Sequence, residues 1–284
     1  MTLVSEAVME RPTTECVTHE AGRLQSVLVI PPDAGFERAK AVKGEGPPIA
    51  ARAADEHRVF VQTLKSNRVD VVELPADARF GLATLVRSTA LVLPGGVLIG
   101  RLTDAERRGE EDAVRALLEQ RGMPILGVIE GPGAFDARDA VVLGDRLVVA
   151  KTASTNAFAV EQLTRFAGAA GLDLREVTLA RGAAHLGEVF SPVDARLAVA
   201  VPKLVSGPGL EGIEIVALPP ELAPAAGCLT LAPRLVVMDL RNAGACAILK
   251  RAKIAVEAVD LYDFARAGAG PSALALPLRR APLR

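Results

Sequence analysis

Few side chains in this sequence could do chemistry. His185 stands in the run Ala-Ala-His-Leu, and an imidazole that titrates near neutral pH is a suitable proton carrier. Asp136 and Asp139 lie in Ala-Phe-Asp-Ala-Arg-Asp, and a carboxylate beside an imidazole would orient it and favour its charged form. The same aspartates equally fit a turn entering a hairpin, where Asp bonds its own backbone. The histidine equally fits a structural position. Arg107 and Arg108 are neighbours in sequence and read as solvated charges flanking a capped helix. Cys16, Cys228 and Cys246 are too few and too scattered for a disulfide framework or a two-cysteine metal motif. Each reads as a small buried apolar side chain. No metal site and no cofactor is expected.

The elements that must position these residues come from an aliphatic chain of 284 residues. With 33 Lys and Arg against 34 Asp and Glu, the formal net charge is −1, which excludes binding to nucleic acid or membrane through bulk positive charge. Hydrophobic residues make up 50% and aromatic residues 3%, with no Trp and one Tyr. The core is therefore expected to be Val, Leu, Ile and Ala, and stacking platforms for bases are not. The first fifteen residues carry three Glu and no continuous apolar stretch, so they do not read as a signal peptide. No uncharged apolar run is long enough for a membrane span. The cytoplasm is the expected compartment, and a homodimer is an allowed form.

Four segments share one design, two short β-rich runs across a tight turn: Thr89–Gly100, Ala140–Ala150, Arg196–Ser206 and Cys228–Met238. Helical stretches follow three of them. The spacing predicts a helix over Thr103–Arg121, opened by a capping box at Thr103 and Glu106 and closed by Gly122. Others are expected over Asn156–Ala170 and Ala243–Lys253, and an earlier one over Ile49–Ser66. About five strand–strand–helix–strand units of on the order of 50 residues result, in the period range of repeat architectures. A ring of such units removes exposed sheet edges. The expectation is one α/β domain over residues 21–284, a five-bladed αβ-propeller, with residues 1–20 as a poorly packed extension.

The order ADEHRVFVQTLK, VDVVELPADARF, RLTDAERRGEEDAV, PGAFDARDAVVLGDRLVV, TASTN, AHLGEV and VDLYDFARAGAGPSALALPLRR resembles the dimethylarginine dimethylaminohydrolases. These belong to the pentein superfamily, with the arginine deiminases and amidinotransferases. The resemblance spans residues 24–280. It implies a five-bladed αβ-propeller around a central site, in which a cysteine thiolate attacks the guanidinium carbon. A histidine moves protons there, and carboxylates hold the cation. His185 falls at the histidine of that family, Asp136 at its active-site acid, and Asp139 at the second acid of the motif.

The same resemblance implies departures. Ala273 falls where the nucleophilic cysteine is expected, with Ser272 beside it on a strand that would point it the other way. The carboxylates expected before the first hairpin are replaced by Arg87 and Ser88, and an acid further upstream by Leu82. The arginine that would clamp a substrate carboxylate is Ser154, which leaves Arg107 and Arg108 as anion contacts. Arg87 would oppose a guanidinium and favour a neutral or anionic ligand in the central cavity. Three functions follow as expectations. One is a repurposed enzyme in which His185 is general base and no covalent intermediate forms. Another is an inactive member acting as a binding or regulatory partner. The last is a guanidine hydrolase with an unusual nucleophile, Cys228 or Cys246.

Overall fold

The computed structural model describes residues 16–283; residues 1–15, with the signal-peptide question, lie outside them. Short apolar runs punctuated by turns form strands that assemble into five small sheets. The first sheet pairs β1 (Leu24–Val29) in parallel with β2 (Asp70–Glu73) across helix α1 (Ala50–Ser66). In the second, a hairpin of β3 (Ala90–Leu93) and β4 (Gly96–Ile99) is followed by α2 (Glu110–Gln120) and β5 (Ile125–Val128), parallel to β4. The third repeats the plan with β6 (Ala140–Leu143), β7 (Arg146–Ala150), α3 (Ala157–Ala169) and β8 (Asp173–Leu179).

One turn of helix, α4 (Leu186–Val189), leads into the fourth sheet, with β9 (Phe190–Asp194) antiparallel to β10 (Leu197–Ala200). Here no long helix follows. The two-residue strand β11 (Val205–Ser206) joins the third sheet beside β8, and β12 (Glu214–Ala217) returns parallel to β10. The fifth sheet holds β13 (Leu229–Ala232), β14 (Leu235–Asp239) and, after α5 (Ala243–Arg251), β15 (Ala255–Val259). After α6 (Tyr262–Arg266), the last strand β16 (Leu276–Arg280) runs back antiparallel to β1 and completes the first sheet.

Burial grades the same way in every sheet. The strands β3, β6, β9, β13 and β16 are buried along nearly their whole length, while β2, β5, β12 and β15 are largely half-buried or exposed. That gradient explains why the buried strands read as unbroken apolar runs without alternation. Contacts pass from sheet to sheet: β16 meets β3, the turn before β3 meets the turn before β6, α4 meets β6, β9 meets β13, and β13 meets β1. Among the described residues, no helix is long and apolar enough to cross a membrane.

Three expectations change. The hairpin expected over Arg196–Ser206 lies one strand earlier: β10 pairs back onto β9 across Ala195 and Arg196, and the run after Pro202 leaves for another sheet. The helix expected from Thr103 starts at Glu110. Gly109, at φ 97°, breaks the chain there, and Asp104 rather than Thr103 accepts the Glu106 amide. A left-handed φ suits glycine and ends a helical run. Residues 16–20 of the expected extension are not loose, since Val17 and His19 are buried and His19 bridges to Leu143 of β6.

Candidate functional site

Each inner strand is preceded by a short helical turn: Val86–Ser88 before β3, Ala137–Asp139 before β6, α4 before β9, Pro220–Gly227 before β13 and Pro271–Leu274 before β16. These turns pack on one another. The repeat therefore gathers residues that are far apart in sequence. Gly270 permits part of this packing, because a Cβ there would stand 2.8 Å from the Gly227 carbonyl oxygen.

His185 is the N-cap of α4, on extended backbone. Its Nδ1 lies 3.0 Å from Oδ1 of Asp139. Asp139 also accepts the Leu186 amide and the hydroxyls of Thr152 and Thr155, the last two at 2.7 Å. A fully buried carboxylate with all these donors is itself fixed, and it fixes the imidazole plane. The other nitrogen, Nε2, is 2.7 Å from Nη2 of Arg138. Arginine can only donate, so Nε2 accepts, and the proton sits on Nδ1, facing Asp139.

Arg138 reaches this position by folding over Asp136. The Asp136 side chain caps its own turn by accepting the Arg138 amide, and it accepts from Nε and Nη2 of the same arginine, at 3.1 and 2.8 Å. Burial alone would push the Asp136 carboxyl up. The charge and hydrogen bonds of Arg138, with the charge of Arg107, outweigh it and hold the group well below the usual carboxylate range. Burial likewise opposes the charge of Arg138, but Asp136, Glu188 and Asp139 keep its pKa above the ordinary value. Arg107 stands 3.6 Å from Asp136, is gripped by both oxygens of Glu110, and donates to Ser88 at 3.2 Å. The turn closed by the Arg107 and Arg108 amides on the Asp104 carbonyl carries Arg107 buried and Arg108 exposed, the latter with a contact to the Thr103 carbonyl.

A cavity of about 160 Å³ opens onto His185, Asp136, Arg138, Arg107, Ser154 and Asp104. The structure thus brings together His185, Asp136, Arg107 and Ser154, and separates the other expected site residues. Asp139, expected at the ligand, is fully buried behind the histidine as a positioning residue. Ser88 is buried under Arg107, and Arg108 points to solvent. Arg87, expected in the same cavity, lies in a narrower one, where Glu20 and the carbonyls of Ala90 and Ala140 take its protons. Ser272 was expected on an extended strand facing away. It lies instead on a helical turn, lines that narrower cavity and donates to the Gly187 carbonyl. Ala273 is packed in the core with Leu274 and Phe264.

Neither Cys228 nor Cys246 lines the His185 cavity. Burial pushes the Cys228 thiol up to about 12, and Cys246 sits half-buried on α5 against apolar neighbours. Sequence reasoning missed Arg138. Its signal was present, since a cation two residues after Asp136 and one before Asp139 is within reach of both. Among the described residues no group of His, Cys, Asp and Glu is arranged to hold a metal ion.

Five small mixed sheets around gathered turns define an α/β fold shared with guanidine-modifying enzymes. The structure superposes with a TM-score of 0.81 on an amidinotransferase of saxitoxin biosynthesis from Microseira wollei, at 17% identity, covering 96% of this chain and 99% of that one. It matches dimethylarginine dimethylaminohydrolase from Pseudomonas aeruginosa, solved as a Cys-to-Ser mutant with citrulline, with a TM-score of 0.83 at 25% identity. That match covers 89% of this chain and 99% of the other. In sequence, the chain is 26% identical to the N(G),N(G)-dimethylarginine dimethylaminohydrolase of Pseudomonas aeruginosa over 231 residues, 81% of this chain and 90% of that enzyme. No family model matches. These likenesses support homology to the dimethylarginine dimethylaminohydrolases and their amidinotransferase relatives.

Proposed function

We propose that this protein is a five-bladed αβ-propeller of pentein type that has left thiolate-dependent guanidine hydrolysis and works as a binding protein for a small polar molecule. The propeller reading draws on the five repeated sheets, the cyclic contacts between them and the return of β16 to β1. One observation carries the functional reading: the arginine of the chain itself, Arg138, holds the site's acid and the Nε2 lone pair of its histidine. A general base needs a free lone pair within reach of a substrate proton. Here the lone pair accepts from a permanent cation. Binding is therefore the better account than acid–base turnover by His185.

The nucleophile argues the same way. Ala273, at the position where the resemblance expects cysteine, cannot attack carbon, and its methyl packs in the core. The ligand we assign is neutral or zwitterionic. Arg107 and Arg138 are already balanced by Glu110 and Asp136, and the free wall offers Ser154, Thr103 and Asp104 beside Leu82 and Leu102. A cavity of about 160 Å³ takes a molecule the size of roughly five waters. We place the protein in the cytoplasm, in keeping with its three free cysteines.

The test is incubation of the purified protein with dimethylarginine and with arginine, with citrulline as the readout. No citrulline above the blank is expected. Turnover at ordinary enzyme rates would overturn the reading.

A further inference from the structure

The second cavity, about 50 Å³, shares Arg138 with the first and is lined by three guanidinium groups, Arg87, Arg138 and Arg280, and one carboxylate, Glu20. Arg138 is balanced by Asp136 at 2.8 Å. Arg87 and Arg280, 8% and 3% exposed, are left to share Glu20: Nη2 of Arg87 is 3.0 Å from one of its oxygens, and Nε of Arg280 is 3.5 Å from the other. The second approach is an ion-pair distance without hydrogen-bond alignment, and Nε of Arg280 has no acceptor among the described residues. The other partners of the two arginines are uncharged carbonyls, of Gly22 and Thr230 for Arg280 and of Ala90 and Ala140 for Arg87.

Other neighbours do not remove the excess positive charge. Burial, helped by the charge of Arg280, holds the His19 pKa below its ordinary value, and its Nδ1 accepts the Ala21 amide, as a neutral ring does. The hydroxyls of Ser191, Thr230 and Ser272 direct their protons to carbonyls. Burial presses the Arg280 pKa down to about 10 against the pull of Glu20, so the group stays charged at neutral pH. Among the described residues one buried positive charge therefore remains without a counter-charge, next to space for about one or two water-sized particles. A buried charge is costly unless it is paired.

We propose that this narrow cavity is a binding site for one small monovalent anion of halide size, held between Arg87 and Arg280. A cavity of about 50 Å³ suits an ion of that size.

The experiment is a sodium bromide soak of crystals of the full chain, read by anomalous scattering, together with halide titrations that follow thermal stability against sodium gluconate at equal ionic strength. One bromide peak between Arg87 and Arg280 is expected, with a saturable rise in melting temperature that gluconate does not give. Glu20→Gln removes the competing carboxylate and should tighten halide binding about tenfold or more, while Arg280→Met should abolish the saturable rise. If Arg280→Met fails to fold, the Glu20→Gln titration and the bromide map still decide. A cavity holding only water, or Glu20→Gln with unchanged halide affinity, overturns the proposal.

Discussion

Two clusters of buried arginines lie side by side in this molecule, and they are balanced differently. Arg107 and Arg138 sit among Glu110, Asp136 and Glu188, whereas among the described residues Arg87 and Arg280 share Glu20 alone. Residue type is the same in both clusters and burial is similar. The number of carboxylates within reach decides which cluster is a closed structural network and which has charge left over for a ligand. Arg87, the residue whose charge most suggests an anion site in the sequence, does belong to one in our reading. It is a different site from the one that contains His185.

The balanced cluster should be the harder one to disturb without penalty. Arg138→Ala strands the Asp136 carboxylate in a buried place and should cost about 3–5 kcal/mol, measured by urea denaturation. Adding Asp136→Asn should recover much of that loss, because the uncompensated charge goes with it. A double variant as unstable as the sum of the two singles would break the comparison.

Two of the three buried histidines sharpen it. His185 has a partner on each ring nitrogen, while Nε2 of His57 on α1 has none among the described residues. Burial among Phe60 and Phe264 pushes the His57 pKa down to about 4, against a weak upward pull from Glu73. A folded pKa depressed below the unfolded value of about 6.5 means that the unfolded chain takes up its proton first. This contribution is therefore fully present above about pH 6.5 and declines as pH falls toward 4, by about 3 kcal/mol in all. His57→Leu should remove that slope in denaturation curves taken across this range. Parallel curves for variant and wild type would contradict the assignment. Smallest of all, Arg108→Ala should change stability by less than about 0.5 kcal/mol in the same assay, since this exposed neighbour of Arg107 holds only one carbonyl.

Much of this architecture was legible in the sequence. The hairpins at β3–β4, β6–β7 and β13–β14 carry turn residues between apolar runs, and α1 begins within one residue of its expected start. The β9–β10 hairpin was not legible, because Pro192 lies inside β9 and its turn, Ala195-Arg196, carries no glycine or proline. Nor was the return of β16 to β1, which joins residues about as far apart as the chain allows and leaves no local pattern. Within the site, it was the resemblance of their motifs, not residue type, that nominated His185 and Asp136. The role of Asp139 behind the ring depended on Thr152 and Thr155, which only the fold brings to it. Arg138 was overlooked because a charge flanked by two acids reads as a surface turn until the turn is seen to be buried.

The central claim is that the site is already occupied by a guanidinium belonging to the chain. Thermal stability of Arg138→Ala in millimolar methylguanidinium chloride, against potassium chloride at equal concentration, tests it directly. If Arg138 fills a guanidinium-shaped place between Asp136 and His185, the added cation should stabilise the variant in a saturable way and leave the wild type unchanged. A variant that responds no differently from wild type would contradict the claim.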